Sequence, residues 1–116
     1  MGNRAVLVAD DVTNENKKER CGIYLHWCGG RKSVESFLQI AKDRRIRSLQ
    51  EDESYALARL CQIIGECFSE EGDDILSLGV GIVSQLDCNN FDNGVYYIDN
   101  NYDIVKQTSG KELEKE

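Results

Sequence analysis

Hydrophobic and polar residues alternate with two different periods along this chain, and the places where the period changes mark its elements. Arg4 to Ala9 and Cys21 to Trp27 are short runs rich in β-branched or aromatic residues. They predict two paired strands, with the polar stretch Asp10 to Arg20 as the loop between them. Val34, Phe37, Leu38 and Ala41 then recur at i, i+3, i+4 and i+7, the spacing of one helix face, with Ser33 as the expected cap. The basic run Arg44-Arg45-Ile46-Arg47 ends this helix, where cations suit the negative end of the dipole, and Ser48 to Glu53 is a polar connection. Leu57, Leu60, Cys61, Ile64, Cys67 and Phe68 repeat the helical period and predict a second helix, with Asp52 and Glu53 at its positive end.

Beyond an acidic loop at Ser69 to Asp74, Leu76 to Val83 alternates large and small residues at period two and predicts a central strand. Its glycines, Gly79 and Gly81, suit ordinary packing or the close approach of a ligand, a helix or a neighbouring subunit. Asp87 to Gly94 is an Asn/Asp turn segment. Val95 to Asp99 and Tyr102 to Lys106, joined at Asn100-Asn101, form the clearest hairpin, and from Gln107 onward the tail is expected to fray or to be weakly helical. Residues 1–116 are therefore expected to form a single α+β domain: a mostly antiparallel sheet of about five strands with two amphipathic helices packed on one face.

Composition narrows the function classes. The apolar stretches Ala5 to Ala9 and Leu76 to Val83 fall far short of the roughly 20 residues of a membrane span. The N-terminus lacks signal-peptide character, so a cytoplasmic location is expected. The five cysteines are odd in number, irregularly spaced and without a C-x-x-C pair, which favours reduced thiols. With His26 the only histidine, neither a metal nor a cofactor is expected. The net charge of −7 argues against a nucleic-acid polymer as partner. The charge is uneven, however: Arg31 to Leu60 holds seven basic and five acidic residues, so a local anion site is compatible with an acidic whole.

The strongest candidate site is the strand-to-helix junction from His26 to Ser33. Gly29 and Gly30 would let backbone amides approach an anion, the helix start offers unpaired N–H groups, and Arg31 and Lys32 add charge. An ordinary glycine loop with solvated basic residues reads the same way. Alternation sends His26 and Trp27 to opposite sides, so that one reaches the junction while the other packs. Trp27 suits the core or a stacked base, and His26 could donate to a phosphate or hydroxyl. Arg59 falls beside the apolar face of the second helix and calls for a partner, either a carboxylate or a phosphate held bidentately. Asn90, Asp92 and Asn93 offer hydrogen-bonding groups suited to ribose hydroxyls or a base edge, or serve purely as a turn. EF-hand spacing is absent, since Ile98 stands where a bidentate Glu would be needed. The carboxylate pairs Asp10-Asp11, Glu70-Glu71 and Asp73-Asp74 sit in polar runs, and no nucleophile has an identifiable base and third member. The residues read as binding rather than turnover.

Three blocks carry a family resemblance. These are Gly22 to Leu38 (GIYLHWCGGRKSVESFL), Tyr55 to Gly65 (YALARLCQIIG) and Leu86 to Tyr96 (LDCNNFDNGVY). They resemble the first-described family of phage Thoeris anti-defence proteins. The resemblance implies a viral sponge, acting in the infected bacterial cell. Such a protein sequesters glycocyclic ADP-ribose and, in some members, cyclic trinucleotides, without degrading them, as a homo-oligomer (a dimer or hexamer). It would place Arg59, Asn90, Asp92 and Asn93 near the ADP-ribose ligand and give the His26 to Ser33 junction to the cyclic oligonucleotide. The chain departs from the pattern at Cys28 and in its tail, which offers only Lys106, Lys111 and Lys115 where a basic ligand contact is expected. The rival classes are a cyclic-nucleotide phosphodiesterase using His26 and the acidic loops, and an oligomeric protein-interaction module.

Overall fold

A computed structural model describes residues 3–9, 20–49, 52–70, 78–88, 90 and 92–108, without the side chains of 68–70. The predicted loops at 10–19 and 71–74, the beginning of the third predicted strand and the tail beyond 108 lie outside the described residues, and with them Asp10, Asp11, Glu71, Asp73 and Asp74 of the paired carboxylates. The elements are β1 (Ala5–Ala9), β2 (Cys21–Leu25), α1 (Arg31–Asp43), α2 (Glu53–Glu70), β3 (Leu78–Ile82), β4 (Val95–Ile98) and β5 (Ile104–Thr108), with a short 3-10 turn at Val83–Gln85. They form an α+β fold whose sheet has the order β3-β2-β1-β4-β5. All neighbours are antiparallel except β1 and β4, which run parallel with Leu7 opposite Tyr96. No helix among the described residues is long and apolar enough to cross a membrane.

Period-two alternation divides the central strands between two cores. Ala5, Leu7 and Ala9 of β1, with Ile23, Leu25, Tyr96 and Ile98, pack against Val34, Phe37, Leu38 and Ala41 of α1 and Ala56, Leu57, Leu60, Ile63 and Ile64 of α2. Val6 and Val8 point the other way and meet Val95, Tyr97, Val83 and Cys88, so the segment after β3 covers part of the second face. Each fully buried leucine of this kind contributes roughly 1.5–3 kcal/mol of apolar transfer free energy. Arg20, buried at the entrance to β2, pairs with Glu53 at the start of α2 over 2.6 Å and ties helix to sheet.

Four expectations change. The third predicted strand is an edge, not a centre: its glycine-rich sequence supplies too few side chains to be packed on two faces, and β1, apolar at every position, takes the middle. Ser33 does not cap α1. The helix starts three residues earlier, at Arg31, with extended Gly30 at the N-cap and no side-chain cap. The hairpin turn is longer than Asn100-Asn101. Asp99 Oδ1 accepts from the amides of Asn101 and Asp103, and Tyr102 is left-handed (φ 62°), so β5 begins only at Ile104. The strand then continues through Gln107 and Thr108, where the sequence predicts fraying.

β1 and β4 run parallel, so the segments that enter them lie at one end of the sheet and the turn that follows β4 lies at the other. Arg4, Asn93, His26 and the Gly29 turn gather where β1 begins. The 99–103 turn, which follows β4, meets the end of α1 through an ion pair between Lys42 and Asp103 and a hydrogen bond from Tyr102 Oη to the Arg47 carbonyl. Burial pushes the Tyr102 phenol up to about 12.

Candidate functional site

At the second end, α1 closes in a Schellman arrangement. The Arg45 amide donates to the Lys42 carbonyl and the Ile46 amide to that of Ala41, which requires a left-handed residue at position 45. That residue is usually glycine, yet here it is Arg45, at φ 52°. The reversal folds Arg44, Arg45 and Arg47 back over α2, where they line an open cavity of about 500 Å³ with Ile46, Arg59, Gln62, Ile63 and Glu66. Its four guanidinium groups differ in occupation. Arg44 pairs with Glu66 at 2.8 Å, and Arg47 pairs with Asp52 at 3.3 Å while lying 5.0 Å from the ring centroid of Tyr55. Arg59 has only a 3.5 Å contact to Gln62 Oε1, and Arg45 has no ion pair, among the described residues. Arg59 is exposed rather than pressed into the apolar face, because its neighbours Leu57 and Leu60 occupy that face.

The first end carries the other predicted residues. Tyr24 Oη lies 2.9 Å from His26 Nδ1, the His26 and Trp27 rings meet edge to face at 5.4 Å, and Trp27 is 41% exposed instead of packed in the core. Arg4 donates to Asp92 at 2.9 Å and reaches Asp87 at 3.4 Å. The Arg4 hydrogen bond holds the Asp92 carboxyl below its ordinary range, and burial pushes the Tyr24 phenol up. Asn93 Nδ2 donates to Asn3 Oδ1 and to the Arg4 carbonyl. Asn90 is fully buried: its Nδ2 donates to the carbonyls of Asp87 and Gly94, and its Oδ1 accepts from the amides of Asp92 and Gly94.

The glycine junction is likewise occupied by its own fold. Cys28 is left-handed (φ 59°), the Gly29 amide donates to the Asn3 carbonyl at 2.7 Å, and Tyr96 Oη donates to the Gly29 carbonyl at 2.9 Å. The amide expected to meet an anion therefore holds the β2–α1 turn onto the N-terminal strand. Arg31 pairs with Glu35 one helical turn on, at 2.8 Å, and Ser33 sits inside the first turn of α1.

Within one chain the structure thus groups the residues differently from the resemblance. Asn90, Asp92 and Asn93 join His26 and Trp27, while Arg59 stands alone of the predicted set beside Arg44, Arg45 and Arg47. The ends are separated by the length of β1, on the order of 13 Å. Sequence reasoning missed the last three arginines as site residues. The available signal was three arginines in four positions, more charge than a helix end calls for. Among the described residues no group of His, Cys, Asp and Glu is placed to hold a metal ion. No protein family, curated protein or solved structure matches the chain.

Proposed function

We propose that this chain binds a phosphate-bearing nucleotide signal and holds it without cleaving it, as the resemblance to the Thoeris anti-defence sponges implies, and that the binding place is the arginine cavity, which the resemblance does not name. The observation that carries this reading is the pair Arg45 and Arg59, two guanidinium groups without carboxylate partners among the described residues, on a cavity of about 500 Å³. That volume suits a small ligand. Planar guanidinium forks match phosphate oxygens bidentately. Glycocyclic ADP-ribose is the first ligand to test and a cyclic trinucleotide the second. After incubation and removal of free ligand, heat denaturation should release the bound nucleotide chemically unchanged on chromatography. Recovery of a cleaved product would support the phosphodiesterase reading instead.

Arg45 gives the proposal an independent handle. A left-handed non-glycine residue costs about 1 kcal/mol, and strained backbone of this kind gathers at functional sites. Arg45→Gly is expected to raise stability by about 1 kcal/mol in urea denaturation while weakening nucleotide binding at least tenfold. A variant that gains stability and keeps full affinity would remove Arg45 from the site.

A further inference from the structure

The wall of the arginine cavity is not uniformly basic. Arg59, Gln62, Ile63 and Glu66 line it from α2 at i, i+3, i+4 and i+7, so a cation, an amide and a carboxylate stand in one row on a single helix face. Glu66 is the one carboxylate of that lining among the described residues. The two acids that pair with the cavity's arginines are placed differently. Asp52, which holds Arg47, stands outside the lining, whereas Glu66, which holds Arg44 at 2.8 Å, stands within it. Arg44 and Glu66 are both about half exposed, where an ion pair contributes little to stability. A bare polyanion gains nothing from Glu66 either, because a carboxylate repels phosphate oxygens and has no proton to offer them.

What a carboxylate in this position does recognise is a hydroxyl donor. Arg44 Nη2 donates to Glu66 Oε2, and Oε1 accepts no hydrogen bond among the described residues. One turn earlier, Gln62 takes the Arg59 contact on its Oε1, and its Nε2 donates to no group among the described residues. A carboxylate accepts from the hydroxyls of a vicinal diol, the contact by which acidic side chains hold a ribose. Seven helical residues carry the row from Arg59 to Glu66 over about 10 Å, a span that suits phosphates at one end and the sugar that bears them at the other. We propose, resting on the arginine cavity as the binding place, that Glu66 is its specificity-determining residue: it admits a phosphate ester whose sugar carries a free vicinal diol and turns away inorganic phosphate and pyrophosphate.

Calorimetric titration with pyrophosphate, ADP and 2′,3′-dideoxy-ADP separates this role from phosphate binding itself. The wild-type chain should bind ADP about tenfold more tightly than 2′,3′-dideoxy-ADP, which lacks both hydroxyls. Glu66→Ala should narrow that gap to about twofold or less, since no acceptor remains for the diol. Glu66→Gln, which keeps the size of the side chain and removes its charge, should bind pyrophosphate about fivefold more tightly than the wild type. Glu66 is exposed, so circular dichroism should show the native fold in both variants. Equal wild-type affinity for ADP and its dideoxy form, an undiminished gap in Glu66→Ala or unchanged pyrophosphate affinity in Glu66→Gln would each overturn the role of Glu66 while leaving the cavity as a phosphate site. Failure of all three probes to bind the wild type would overturn the role of Glu66 and the binding place together.

Discussion

Gly29→Ala is expected to destabilise the chain by about 3 kcal/mol, a large part of the roughly 5–15 kcal/mol that holds a domain of this size together. An added Cβ would stand 2.5 Å from the Asn3 carbonyl oxygen, 2.8 Å from the Ala5 Cβ and 2.8 Å from the Arg4 carbonyl carbon. Two of these three atoms are backbone, and the Asn3 oxygen is the acceptor of the Gly29 amide itself. Relief therefore means breaking the bond that fastens the β2–α1 turn. Urea denaturation should show the midpoint falling by about 2 M. Gly30→Ala is the control: its Cβ would meet only the flexible Asn3 Nδ2 at 3.3 Å, and the cost should stay under about 1 kcal/mol, most of it from weaker N-capping. Equal effects at the two glycines would contradict the packing described for this junction.

Asn90→Ala carries the second large effect, also about 3 kcal/mol, with a fall in Tm of about 10 °C. One side chain satisfies two carbonyls and two amides in the turn that leads into β4, and the Gly94 amide it serves is buried. Its loss should also loosen the Asp92 and Asn93 contacts to Arg4 and Asn3, since both residues belong to the same turn. Asn90→Asp, which keeps the acceptor for both amides but sets a buried carboxylate oxygen against the carbonyls of Asp87 and Gly94, should be at least as damaging. The prediction separates two roles for Asn90. A turn device loses stability on truncation, whereas a ligand contact would lose affinity at unchanged Tm.

Much of the fold was legible because the chain follows simple periodicities. Val34, Phe37, Leu38 and Ala41 are buried as their spacing requires, and the paired opening strands, the second helix and the closing hairpin all form. What escaped was long-range competition. Leu78 to Ile82 alternates like many central strands, but only the whole set of strands decides that β1, buried at every position, fills the middle and sends the glycine-rich strand to an edge. The site was legible in its residue types and not in its partners. Arg31 meets Glu35 and the Gly29 amide meets Asn3. Nothing local foretold that Arg45 would turn left-handed and carry its neighbours over Arg59.

The central claim is that the arginine cavity receives a small polyanion, and calorimetric titration of glycocyclic ADP-ribose into the wild-type chain and into Arg59→Ala tests it most directly. The account predicts saturable binding to the wild type, at least tenfold weaker binding to Arg59→Ala, and the same Tm for both unliganded proteins, because the Arg59 guanidinium supports no part of the core. Equal affinity in the two proteins, or no saturable heat with either this ligand or a cyclic trinucleotide, would contradict it.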